Sequence, residues 1–116
     1  MKVLICGSRH GFPSNKIKAR LMQLPKDVTI VEGGADGVDK IARSIAEELG
    51  LDVIEIPANW KRYGKPAGPL RNRRMLDLLT KEDLVIAFHE NLAESRGTVD
   101  CLKEAERRSI STEIIS

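Results

Sequence analysis

Val28-Thr29-Ile30-Val31-Glu32-Gly33-Gly34-Ala35-Asp36-Gly37-Val38-Asp39 runs from a β-branched segment through a glycine turn into the start of an amphipathic helix. Strand, turn and helix start in that order predict a cradle for an anion. Glycine has no Cβ and adopts positive φ at little cost, so a ligand can approach the main chain, and the dipole of the following helix favours negative charge. Gly33, Gly34, Ala35, Asp36, Gly37 and Asp39 are therefore candidates to contact a phosphate-bearing ligand. The competing local reading is that Gly33 and Gly34 only turn the chain.

Beyond the turn, Val38, Ile41, Ala42, Ile45, Ala46 and Leu49 fall on one helical face, and Gly50 stops the run. Upstream and downstream, further short β-branched segments recur at Val3 to Cys6, Val53 to Ile56, Leu84 to Phe88 and Glu113 to Ile115. Ile17, Leu21 and Leu24 mark a helix ended by Pro25, and Pro69 suits a first helical turn ahead of Leu70, Met75, Leu78 and Leu79. Val99, Leu102 and Ala105 mark the last helix. Strands apolar on both faces, alternating with helices, predict an α/β, doubly wound fold: a five-stranded parallel sheet with helices on both faces. At 116 residues and 41% hydrophobic, the chain is sized for one such domain, residues 1–116.

The formal charge of +2 does not by itself imply a polyanion partner, so the distribution of charge matters more than its sum. Cys6 and Cys101 lie far apart in sequence and define neither a disulfide framework nor a zinc knuckle, and no metal is expected. No apolar run reaches membrane-spanning length and no leader pattern follows Met1, so the expectation is a cytoplasmic protein with no membrane partner.

In an open parallel sheet, ligands bind where the loops at the carboxyl ends of the strands diverge. Those loops are Gly7 to Gly11, Gly33 to Asp39, Pro57 to Gly68 and His89 to Gly97. All four aromatic residues, Phe12, Trp60, Tyr63 and Phe88, fall in or beside them and outside the expected helices. A nucleobase could stack there, or Trp60 and Tyr63 could instead anchor an irregular segment. Between Pro57 and Met75 stand Lys61, Arg62, Lys65, Arg71, Arg73 and Arg74, with no acidic residue. Arg71 and Arg74 can share a helix face, and Arg71 is read as opening that helix, where backbone donors also gather. Arg9 and Arg96 occupy the first and fourth loops. The first loop lacks GxGxxG spacing and no Gly-Lys-Ser/Thr occurs, which disfavours ordinary dinucleotide and P-loop sites. Glu32 is a weak ribose ligand on this reading, and His10 and His89 read as solvated loop residues.

These residues together resemble the SLOG superfamily, named for the SMF/DprA and LOG proteins, and most closely its YspA-like members. The resemblance is carried by Gly7-Ser8-Arg9, the Gly33 to Asp39 turn, Pro57-Ala58-Asn59-Trp60, Ala67-Gly68-Pro69-Leu70-Arg71-Asn72 and Ser95-Arg96-Gly97-Thr98. It implies a three-layer Rossmann-like fold and a pocket for a nucleotide or nucleotide-derived ligand, of the ADP-ribose or nucleoside phosphate class. The pocket would be lined by Gly7, Ser8, Arg9, the glycine turn, Arg71, Asn72, Ser95, Arg96, Gly97 and Thr98. LOG relatives hydrolyse the bond between base and ribose phosphate with a glutamate in Gly-Gly-x-Gly-Thr-x-x-Glu. Here Cys101 holds the glutamate's place, and a thiol does not stabilise an oxocarbenium-like transition state. Hydrolysis would then need a carboxylate from Asp36, Asp39, Glu94 or Asp100, with Asp36 and Asp39 as the catalytic candidates, whose simpler role is helix capping. The alternative reading is a DprA-like module for single-stranded nucleic acid, and a homodimer is also implied.

Overall fold

Alternation of side chains along the first strand sorts the core into two halves. The computed structural model describes residues 1–116. β1 (Lys2–Gly7) sends Val3 and Ile5 into one apolar cluster and Leu4 and Cys6 into another. Ile17 and Leu21 of α1 (Ser14–Leu21) and Val38, Ala42, Ile45 and Ala46 of α2 (Val38–Glu48) complete the first cluster. Met75 and Leu76 of α4 (Ala67–Leu76) and Cys101, Leu102 and Ala105 of α5 (Arg96–Arg107) complete the second. The result is the expected three-layer α/β arrangement.

The remaining strands are β2 (Thr29–Glu32), β3 (Asp52–Glu55), β4 (Leu84–Phe88) and β5 (Ser111–Ile115). All pair in parallel, in the order β3-β2-β1-β4-β5, with β1 at the centre. The winding reverses between β1 and β4, so the loops leaving their carboxyl ends part around a crevice.

Local differences from the sequence reading have packing causes. α1 ends at Leu21, ahead of Leu24 and Pro25, because Leu24 closes a turn onto the core. α4 opens at Ala67, so Pro69 stands in its first turn and Arg71 one turn further in, not at the helix start; Leu78 and Leu79 lie past its end. Trp60 and Tyr63 are helical, forming the short α3 (Trp60–Tyr63) capped by the Asn59 side chain. Phe12 and Phe88 are core residues, their centroids 5.6 Å apart and their rings tilted by 57°, and leave only Trp60 and Tyr63 as exposed rings. Cys6 and Cys101 meet in the second cluster despite their separation in sequence.

Candidate functional site

The first and second loops lock together at the start of α2. The Val38 N–H donates to the Ser8 carbonyl at 2.9 Å. Gly37, at φ 80° and ψ −126°, lies so close beneath that a Cβ would collide with the Ser8 carbonyl oxygen. Gly37 thus shapes the loops without lining the cleft they form.

The glycine turn does not offer the free amides expected of it. Asp39 Oδ2 accepts from the N–H groups of both Gly33 and Ala35 at 3.2 Å, and Glu32 Oε2 accepts from Gly34 N–H at 2.7 Å. The acceptors in this cradle are the protein's own carboxyl groups. Asp39 is buried, and burial raises its pKa despite those two N–H groups and the nearby Arg71. Glu32 is fully buried, and burial, reinforced by the neighbouring Glu55, pushes its pKa up to about 8. It lines no part of the cleft, which removes it as a ribose ligand. Asp36 is exposed and paired with Lys40 at 2.9 Å, which holds its carboxyl below the usual range.

Arg71 and Asn72 tie the second loop to the fourth. Arg71 Nη1 donates to the Gly33 carbonyl at 2.7 Å and its Nε to Asn72 Oδ1 at 3.0 Å. Asn72 Nδ2 in turn donates to the Gly97 carbonyl and to Asp100 Oδ2, each at 3.1 Å. A Cβ on Gly33 would occupy the guanidinium's place, so the glycine makes room for a buried arginine. At the start of α5, Ser95 Oγ accepts from Thr98 N–H, and Thr98 Oγ1 reaches the Gly7 carbonyl at 3.3 Å, joining the fourth loop to the first. With Ser95 serving Thr98 and Val99, the first-turn N–H groups of Arg96 and Gly97 stay without partners in the helix.

These loops enclose a cleft of two lobes. The lobe over the β1–β4 crevice, about 430 Å³, is lined by Gly7, Ser8, Arg9, Ala35, Asp39, Arg71, Asn72, Ser95, Arg96, Gly97 and Thr98. The second, about 500 Å³, is lined by Gly33, Gly34, Ala35, Asp36, Trp60, Arg9 and Arg71. Arg9, His10, Ala35 and Arg71 form the wall that both lobes share. Neither Arg9, Arg71 nor Arg96 has an acidic partner in an ion pair. Arg74, expected beside Arg71, is exposed and outside both lobes.

His10, exposed, and His89, half-buried, are loop residues as expected, and with Glu94 they also line the first lobe. Their place in the loops that follow β1 and β4 was the available signal. Cys6 and Cys101 are both buried, and Cys6 also lines this lobe; the Cys101 thiol beside it, together with burial, pushes the Cys6 thiol well up. No three His, Cys, Asp or Glu side chains are grouped to hold a metal, and no helix is long and apolar enough to cross a membrane.

The sequence model of the family described as "YspA, cpYpsA-related SLOG family" matches residues 1–63, more than half of the chain. The chain belongs to that family. This SLOG chain is 32% identical over 118 residues to the Gene 61 protein of Mycobacterium phage D29, covering 94% of the chain and 91% of that relative. Among solved structures it is similar to DNA processing protein A (DprA) from Streptococcus pneumoniae, with a TM-score of 0.79 at 22% identity. The likeness covers 99% of this chain and half the length of that one (50%), and at such identity it speaks for the SLOG fold.

Proposed function

We propose that the cleft binds a nucleotide or nucleotide-derived ligand, of the nucleoside phosphate or ADP-ribose class, with its phosphate in the first lobe. The observation that carries this reading is the convergence on that lobe of Arg9, Arg71 and Arg96, none of them ion-paired, with the partnerless N–H groups at the start of α5. Guanidinium forks and helix N-terminal amides both favour phosphate oxygens. The phosphate belongs on the fourth loop rather than the glycine turn, because Asp39 and Glu32 already fill the turn.

The reading is of binding. For glycosidic hydrolysis the two carboxylates singled out are poorly free: Asp39 is buried on two main-chain N–H groups and Asp36 faces Lys40.

Arg96 is exposed and bears no structural bond, so its removal reports on binding with little effect on folding. Arg96→Ala is expected to weaken AMP binding by about 1.5–3 kcal/mol, as for loss of a charge-assisted bond. Calorimetric titration checks this, and an unchanged affinity removes Arg96 from the site.

A second reading rests on a separate observation. Lys61 and Arg62 of α3, Lys65 just after it, and Arg73 and Arg74 of α4 are exposed and without acidic partners, and the exposed rings of Trp60 and Tyr63 belong to the same segment, Arg62 standing over Tyr63. Cations interleaved with exposed aromatics suit single-stranded nucleic acid. If each neutralised one phosphate, log affinity for an oligonucleotide would fall against log salt with a slope of about −3.5. Measured binding that is absent at low salt, or flat against salt, eliminates this reading and leaves the compact ligand.

A further inference from the structure

We infer that the second lobe is a slot for the nucleobase of the same ligand, with Trp60 as its stacking platform and Arg9 as the hinge between base and phosphate. The inference rests on the phosphate reading of the first lobe.

The lobe's chemistry is unsuited to a second phosphate. The three N–H groups of Gly33, Gly34 and Ala35 are consumed by Asp39 and Glu32, and Asp36 adds a carboxylate held ionised by Lys40. Apart from Arg9, His10, Ala35 and Arg71, which it shares with the first lobe, what remains is flat and small: main chain of two glycines, Pro57 and Ala58, and the indole ring. Trp60 is 48% exposed although it is the largest side chain in the protein. Its six-membered edge lies over Gly68, where a Cβ would approach to 3.3 Å, so α4 supports the ring from behind. The Arg9 guanidinium stands 5.6 Å from the ring centroid and lines both lobes. A planar base entering against the indole would therefore lie next to the cation that meets its phosphate. Indole stacks on any base through its π face, and a neighbouring guanidinium strengthens the slot. Asp36, an acceptor only when ionised, favours a base edge that presents N–H donors.

The chain contains one tryptophan, so its fluorescence reads this lobe alone. The experiment titrates AMP, ribose 5-phosphate and inorganic phosphate into the parent, Trp60→Ala and Trp60→Phe, by calorimetry for all three and by fluorescence for the parent. AMP is expected to bind the parent at least about tenfold more tightly than ribose 5-phosphate, in line with one stacked base, and to quench Trp60 where ribose 5-phosphate does not. Trp60→Ala should erase that tenfold advantage while ribose 5-phosphate affinity holds, and Trp60→Phe should recover part of it. Equal binding of AMP and ribose 5-phosphate to the parent overturns the base slot and leaves the phosphate lobe standing. Equal loss of both ligands in Trp60→Ala, with Trp60→Phe no better, also overturns it, since the ring would then merely hold the loop. If none of the three ligands binds the parent, the phosphate reading falls and the slot with it.

Discussion

Glu32→Gln is expected to flatten the pH dependence of stability and to leave the variant more stable than the parent at pH 8 and above. The parent buries this carboxyl completely, with Oε2 on the Gly34 N–H and Glu55 beside it, and its pKa rises from 4.5 to about 8, burial being the larger cause. Below pH 4.5 the group is protonated in both the folded and the unfolded chain and contributes no pH dependence. Between pH 4.5 and 8 the unfolded chain has released a proton that the folded chain keeps, so stability falls as pH rises. The slope reaches about 1.4 kcal/mol per pH unit, and the accumulated loss is on the order of 4–5 kcal/mol once both states are ionised. Glutamine is neutral throughout, accepts from the Gly34 N–H through its carbonyl, and donates towards Glu55 through its amide. Urea unfolding from pH 4 to 9 checks the prediction. Parallel curves for parent and variant would mean that the folded protein carries Glu32 ionised.

Gly37→Ala is expected to cost on the order of 3–4 kcal/mol or more, a large share of the stability of a domain this size. Two penalties coincide. The backbone at φ 80° and ψ −126° lies where an L side chain is strained by about 1–3 kcal/mol. A Cβ would also strike the Ser8 carbonyl oxygen, which accepts from Val38 N–H and cannot withdraw without breaking that bond. Relief by parting the two loops would open the wall between the lobes as well, so AMP binding should weaken together with the melting temperature. A Gly37→Ala protein that loses less than about 1 kcal/mol in thermal unfolding would show that the loops separate freely.

The topology was legible because each strand announces itself by β-branched residues and each helix but the short α3, which buries no residue, by its apolar face: Ile30 and Val31 enter opposite core clusters, and Val38 through Ala46 cover one of them. The position of the cleft followed from topology alone. What escaped a linear reading was the use made of particular polar groups. Nothing local distinguishes Asp39, folded back onto Gly33 and Ala35, from Asp36, which faces solvent and Lys40. The basic run likewise reads as one electropositive stretch, yet Arg71 alone turns inward, because Gly33, far away in sequence, leaves it room. Phe12 and Phe88 stand next to loops but close on each other across the first core cluster. Such pairings depend on distance in space, which adjacency along the chain does not encode.

The central place of β1 also has a kinetic consequence. This strand precedes both of its neighbours in the chain and ends up between β2 and β4, with Lys2 opposite Thr29 and Val3 opposite Leu84. One flank can close once β2 has been made, while the other waits until β4 has emerged. Parallel pairing across so long a loop slows assembly relative to a helical bundle of equal length. A nascent chain halted before β4 would carry an open, apolar strand edge, the kind of surface through which incomplete chains join one another.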